Sequence, residues 1–214
     1  MIAVLGDEAV ADALTDAVHA SDAATIADAA LVVAVGDDAL AETVDLAPET
    51  PILAVGVDRA IPSVDPDPGT VAAAVERFRD GDADTVDRTL LSVAVGDRRY
   101  RALFDVMLVT AEPAQISAYR IATDDHDTID DVRADGVVVA TPAGSRGYAR
   151  DAGGPTLAYG TNALAAVPVA PFTVDPHRWV APPPLTLTVA RDEGTVELRI
   201  DGRERAVVAP DDPV

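Results

Sequence analysis

Residues 135–155 read DGVVVATPAGSRGYARDAGGP, and this stretch constrains the fold more than any other part of the chain. Val137 to Ala140 is a continuous apolar run of strand length, the pattern of a buried strand. It runs into Thr141-Pro142-Ala143-Gly144-Ser145, a polar turn containing glycine. Arg146-Gly147-Tyr148-Ala149 then reads as a first helical turn, and Gly153-Gly154-Pro155 as a break. A strand that feeds a small-residue loop and a helix start leaves backbone N–H groups pointing outward, which suits phosphates or a nucleotide. The same residues also fit a plain strand-loop-helix connection, and taken alone the stretch leaves both readings open.

The N-terminal part of the chain has a different period from the C-terminal part. Met1 to Leu5 reads as a short strand closed by the turn Gly6-Asp7. Val10, Leu14 and Val18 recur at helical spacing, which predicts a helix over 9–20 with His19 on its surface. Ser21-Asp22 caps a second short helix through Ala27. Leu31 to Val35 and Ile52 to Val55 are unbroken apolar runs, the signature of parallel strands buried on both faces. Between them lie Gly36-Asp37-Asp38 and a helix, Ala39 to Leu46, stopped by Pro48. Val71 to Arg79 is a further helix after the Pro-rich SVDPDPGT. Strands alternating with helices imply an open α/β layer with a parallel sheet.

From Arg88 onward the chain reads as mainly β. Thr89 to Val95, one long strand from Arg98 to Val109, and Ile116 to Ala122 are expected, the last followed by an acidic turn, Asp124 to Asp127. Ala163 to Val169 is apolar and buried. Leu185 to Ala190, Thr195 to Ile200 and Arg205 to Ala209 alternate as antiparallel strands do, with turns at Asp192-Glu193-Gly194 and Asp201-Gly202. The expected organisation is an α/β domain over 1–80 carrying the Gly36-Asp37-Asp38 loop, a β-rich domain over 86–209, and a tail, 210–214.

Composition excludes several functions. The 37 acids against 16 bases give a formal charge of −21, which argues against a nucleic-acid surface. All the bases are arginine, and the acids are mostly aspartate. This resembles proteins of extreme halophiles, where molar salt screens surface repulsion to a Debye length of about 3 Å. The absence of cysteine removes disulfides, thiolate metal sites and thiol nucleophiles. No apolar run reaches the ~18 residues of a membrane span, and no basic-then-apolar leader opens the chain, so a cytoplasmic protein is expected. His19, His126 and His177 are scattered without metal-ligand spacing. Ser145 is not in a nucleophile elbow.

Taken together, the motifs resemble the NAD kinase family. The family's Thr-Pro-Thr-Gly-Ser-Thr-Ala-Tyr motif, with its preceding Asp-Gly and following Gly-Gly-Pro, reads here as Asp135-Gly136, Thr141 to Tyr148, and Gly153-Gly154-Pro155. In the family's order, Pro51 to Val55 resembles the segment after its GGDGT loop. Ala102-Leu103-Phe104-Asp105 stands where the family has Ala-Leu-Asn-Glu, and Asp201-Gly202 matches a late turn. The resemblance covers residues 31–201 and is that of a divergent, haloarchaeal member. It implies a Rossmann-like N-terminal α/β domain and a mainly-β sandwich C-terminal domain, with the dinucleotide between them. It further implies a homo-oligomer that transfers phosphate from ATP or polyphosphate, with Mg2+, to the 2′-hydroxyl of NAD. The alternative is a catalytically impaired relative that binds NAD or NADP as a sensor or structural module.

By the same resemblance Asp37 is the base, and Gly36, Asp38, Phe104, Asp105, Asp135, Thr141, Arg146, Gly147, Tyr148 and Asp151 line the nucleotide. Three positions depart from the family. Asp38 replaces a loop glycine and adds a charge near the donor phosphates; two like charges about 4 Å apart cost about 1–4 kcal/mol. Phe104 replaces an asparagine amide that bonds adenine, and offers a stacking ring or a core side chain instead. Arg146-Gly147 replaces Thr-Ala; Arg146 either pairs with a phosphate such as that of NADP or faces solvent among the aspartates.

Overall fold

A computed structural model describes residues 1–20, 22–46, 49–57, 61–112, 115–123 and 127–214. Ser21, the Pro48 stop and the acidic turn with His126 lie outside the described residues, apart from Asp22 and Asp127 at their borders. The chain divides into two compact units, 1–89 and 90–214.

The first unit is a parallel α/β layer. Its elements are β1 (Ile2–Leu5), α1 (Glu8–Ala13), β2 (Ala17–His19), α2 (Ala23–Ala27), β3 (Leu31–Val35), α3 (Asp37–Leu46), β4 (Ile52–Val55) and α4 (Pro68–Arg79). All strand pairs are parallel, in the order β2-β1-β3-β4. The apolar runs are continuous because helices cover the sheet: Val4, Val33 and Val55 are buried with Val71 and Val75 of α4. Aspartates start three of the helices. Asp7 accepts the N–H groups of Ala9 and Val10, Asp22 that of Thr25, and Asp67 that of Thr70. Each satisfies donors that the first helical turn leaves unpaired, and its charge suits that end of the helix dipole.

The helix expected over 9–20 is half its predicted length. It ends at Ala13, Leu14 is extended, and Asp16 adopts φ +57°. Residues 17–19 instead pair with β1 in the register Ile2 to Ala17 and Val4 to His19. The edge of β1 offers a ladder of backbone partners, and filling it outweighs the helical spacing of Val10, Leu14 and Val18. His19 therefore lies on an edge strand, not on a helix.

The second unit is antiparallel. It contains β5 (Leu91–Val95), β6 (Arg98–Ala102), β7 (Asp105–Thr110), β8 (Ser117–Thr123), β9 (Thr128–Ala134), β10 (Gly136–Ala140), α5 (Tyr148–Asp151), β11 (Leu164–Val169), β12 (Trp179–Ala181), β13 (Leu185–Arg191), β14 (Val196–Ile200) and β15 (Arg203–Val208). A six-stranded sheet in the order β12-β11-β10-β7-β14-β15 packs on a three-stranded sheet, β13-β8-β9; β5 and β6 form a hairpin. Leu108, Leu198, Val137 and Val139 meet Tyr119, Ile121, Leu187 and Val189 in the core between the sheets. The other face of β10, Val138 and Ala140, packs with Ala149 of α5, Ala165 and Val167. That double cover is why Val137 to Ala140 is apolar at every position rather than at alternate ones.

The long strand expected over 98–109 is two strands broken at Leu103-Phe104, where the chain leaves the β5–β6 hairpin and enters the large sheet. β9 and β12 were not among the expected strands. Acidic residues obscure the alternation of β9, and prolines crowd the three residues of β12. Among the described residues no helix is long and apolar enough to cross a membrane.

A Cβ at Gly6 (φ +97°) would lie 2.4 Å from the Val35 carbonyl oxygen, whereas one at Gly96 (φ +52°) meets nothing within 4 Å. Gly6→Ala is expected to lose on the order of 2 kcal/mol or more of stability, and Gly96→Ala only about 1 kcal/mol. Urea unfolding in molar KCl measures both, and equal losses would contradict the close approach.

Candidate functional site

In the first unit, the strand order reverses direction between β1 and β3, since the chain goes from β1 outward to β2 and then back to β3. Open α/β sheets take ligands in the crevice outside the carboxyl ends of the strands at such a point. Gly36 and Asp37 lie there, at the end of β3. Gly36 holds φ +85°, donates its N–H to the Val55 carbonyl (2.8 Å), and its own carbonyl accepts from Leu40 at the start of α3 (3.1 Å). A Cβ on Gly36 would meet nothing within 4 Å, so the space above the turn is open. Asp37 is half-buried and Asp38 exposed, both in the first turn of α3. Among the described residues no three His, Cys, Asp or Glu side chains are grouped to hold a metal.

In the second unit, sheet register assembles a second group of residues. β7 lies between β10 and β14. Asp105 is opposite Ala140 on one side, and Val106 is opposite Ile200 on the other. The start of β7, the exit of β10 and the end of β14 therefore meet at one end of the sheet. Asp201, at φ +50°, gathers the backbone of the first of these. Its carboxylate accepts the N–H groups of Leu103 (2.8 Å), Phe104 (2.7 Å) and Asp105 (3.0 Å), and its own N–H donates to the Asp105 carbonyl (2.9 Å).

The loop leaving β10 hangs on the same three residues. Thr141 donates its N–H to the Phe104 carbonyl (2.9 Å) and its hydroxyl to the Leu103 carbonyl (2.7 Å), and Thr141 Oγ1 accepts the Gly144 N–H (3.1 Å). A Cβ at Gly144 would fall 2.0 Å from the Phe104 oxygen, so this position admits only glycine. Ser145 is fully buried; its hydroxyl donates to the Pro142 carbonyl and accepts the Leu157 N–H. Gly154 lets the chain pass the Ala149 carbonyl, where a Cβ would be 2.7 Å away.

Phe104, Asp105 and Thr141 are thus brought together, with Arg146, Gly147, Tyr148 and Asp151 further along the same loop and α5. Asp105 is 6% exposed and Thr141 4%. Phe104 is 1% exposed, so its ring is packed inside the protein rather than presented for stacking. Tyr148 is 44% exposed, and Arg146 and Asp151 are exposed. Asp135 is not part of this group. It precedes β10 at the opposite end of the sheet, about 20 Å of extended chain from Thr141. There its backbone carbonyl accepts from the Thr110 N–H (2.8 Å), the Thr110 hydroxyl (3.0 Å) and the Tyr119 hydroxyl (3.1 Å). Burial raises the Tyr119 pKa above that of a free phenol, partly offset by its bonds to Thr110 and Ser117, so the hydroxyl stays protonated as a donor. Sequence reasoning missed the roles of Asp201, Thr110 and Tyr119. The only signal for Asp201 was its Asp-Gly turn, and nothing local marked the other two.

Residues 103–214 match the ATP-NAD kinase C-terminal domain. The chain belongs to the NAD kinase family. An NAD kinase of Methanosarcina acetivorans is 32% identical over 189 residues, covering 86% of this chain and 68% of that protein. Two solved structures, each 20% identical, share the fold. A crystal structure of an NAD kinase from Archaeoglobus fulgidus in complex with ATP has a TM-score of 0.77 and covers all of this chain and 88% of the other. That of yeast NADH kinase complexed with NADH has a TM-score of 0.76, with 92% of this chain and 61% of the other covered. The N-terminal parallel layer and C-terminal antiparallel sheets are those of NAD kinases.

Thr141→Val keeps the shape but removes the hydroxyl that bonds both Leu103 and Gly144. It is expected to cost about 1–3 kcal/mol, whereas Thr141→Ser retains both bonds and most of the stability. Chemical denaturation of the two variants measures the difference, and equal stability would contradict the loop's dependence on that hydroxyl.

Proposed function

We propose that the chain phosphorylates NAD to NADP, transferring a phosphoryl group from ATP or polyphosphate to the adenosine 2′-hydroxyl. The observation that carries this reading is the family match over 103–214, which spans the whole constellation around Leu103–Asp105 and the loop from Thr141. Asp37, in the turn between β3 and α3, takes the proton of the attacking hydroxyl; a carboxylate in a strand-to-helix turn suits general-base work on an alcohol. Gly36, without a side chain, lets phosphates approach the backbone beside it. Asp105, Thr141, Gly147 and Tyr148 hold the acceptor, and the exposed Arg146 is available to its phosphates.

Asp37 and Asp38 fit a magnesium ion carried on the donor, because that ion keeps several waters and needs only one or two carboxylates beside phosphate oxygens. When bound it neutralises charge on the donor phosphates. The remainder of catalysis is positioning by the chain's own groups.

One observation favours the alternative of a catalytically impaired dinucleotide binder. Phe104 stands where the family has an asparagine amide, and it is buried. An assay for NADP formation in multimolar KCl with magnesium and ATP or polyphosphate separates the readings. Wild-type turnover is expected, with Asp37→Asn reducing it by about 10²–10⁴-fold while NAD binding is retained. No turnover, with a melting temperature still raised by NAD or NADP, would establish the impaired binder. No response to any nucleotide would remove both readings.

A further inference from the structure

We propose that Asp201 is a positioning residue for the dinucleotide acceptor, acting through the backbone of Leu103-Phe104-Asp105; the inference rests on the function proposed above. One carboxylate takes three consecutive N–H groups at 2.7–3.0 Å, Oδ2 that of Leu103 and Oδ1 those of Phe104 and Asp105. Hydrogen bonds to an ionised acceptor are short and about twice as strong as neutral ones. The two carbonyls on the other side of the same segment, Leu103 and Phe104, are the ones that Thr141 bonds. Any shift of 103–105 is therefore passed to the loop that carries Arg146, Gly147 and Tyr148. Asp201 makes these contacts from φ +50°, a conformation that aspartate and asparagine tolerate better than other residues with side chains. Thus the late Asp-Gly turn, 96 residues beyond Asp105 in the chain, sets the geometry of the acceptor side without touching the ligand.

The test uses the full chain in molar KCl with NADP as the binding probe. Asp201→Gly accepts the positive φ but removes the carboxylate. Asp201→Asn accepts the φ and keeps one acceptor oxygen. Asp211→Gly is the control, since Asp211 also holds a positive φ (+65°) and is exposed outside the site. In Asp201→Gly, amide exchange at 103–105 is expected to accelerate and the Kd for NADP and the KM for NAD to rise by roughly tenfold or more, with the KM for ATP unchanged. Asp201→Asn falls between this variant and wild type, and Asp211→Gly matches wild type. A purely structural role would lower the melting temperature and leave the Kd of the folded fraction as in wild type; that result overturns the proposal. Should Asp201→Gly fail to fold, Asp201→Asn decides: wild-type affinity overturns the proposal, and weakened affinity with an unchanged KM for ATP upholds it. Wild-type protein that binds no dinucleotide removes the proposed function and this inference together, whereas wild-type binding with an unchanged Kd in folded Asp201→Gly removes only the inference.

Discussion

The second unit depends on one carboxylate. The backbone N–H groups of Leu103, Phe104 and Asp105 lie where the chain leaves the β5–β6 hairpin and enters the large sheet at β7. The Asp201 carboxylate accepts all three. An unpaired buried donor costs about 1–3 kcal/mol, so a break at this position needs such a partner. With it in place, the carbonyls of Leu103 and Phe104 face the exit of β10 and receive Thr141. The close approach of Gly144 to Phe104 is a consequence of the same contact.

The first unit solves a related problem by topology. The chain winds from β1 outward to β2 and then back past β1 to β3, which places a crevice at the carboxyl ends of these parallel strands, and Gly6 lets the turn after β1 approach the Val35 carbonyl. Gly36 keeps the turn open where Asp37 begins α3. The unit's acidity is placed partly to structural use, since Asp7, Asp22 and Asp67 each cap a helix. A charge of −21 thus carries local stabilising roles as well as any adaptation to solvent.

Much of this was legible in the residues. Continuous apolar runs give parallel strands, alternation gives antiparallel ones, and the Thr141–Pro155 frame gives the family. What local reading missed was decided by distant partners. Residues 17–19 became a strand because β1 offered an edge. The run 98–109 broke because Asp201, nearly a hundred residues on, captures its middle. Asp135 shares a motif with Thr141 but lies at the other end of a strand, which linear proximity conceals. Phe104 was open to two readings, stacking platform or core, and its burial favours the second.

We propose that the acceptor's adenosine lies against Leu103–Asp105 and the loop from Thr141 to Tyr148. A crystal structure of the full chain grown in molar KCl with NADP tests it most directly. The account predicts the 2′-phosphate-bearing ribose and adenine against those residues, with the Asp201 carboxylate still holding the three N–H groups behind them. NADP bound elsewhere on the chain, with this loop empty, would contradict it.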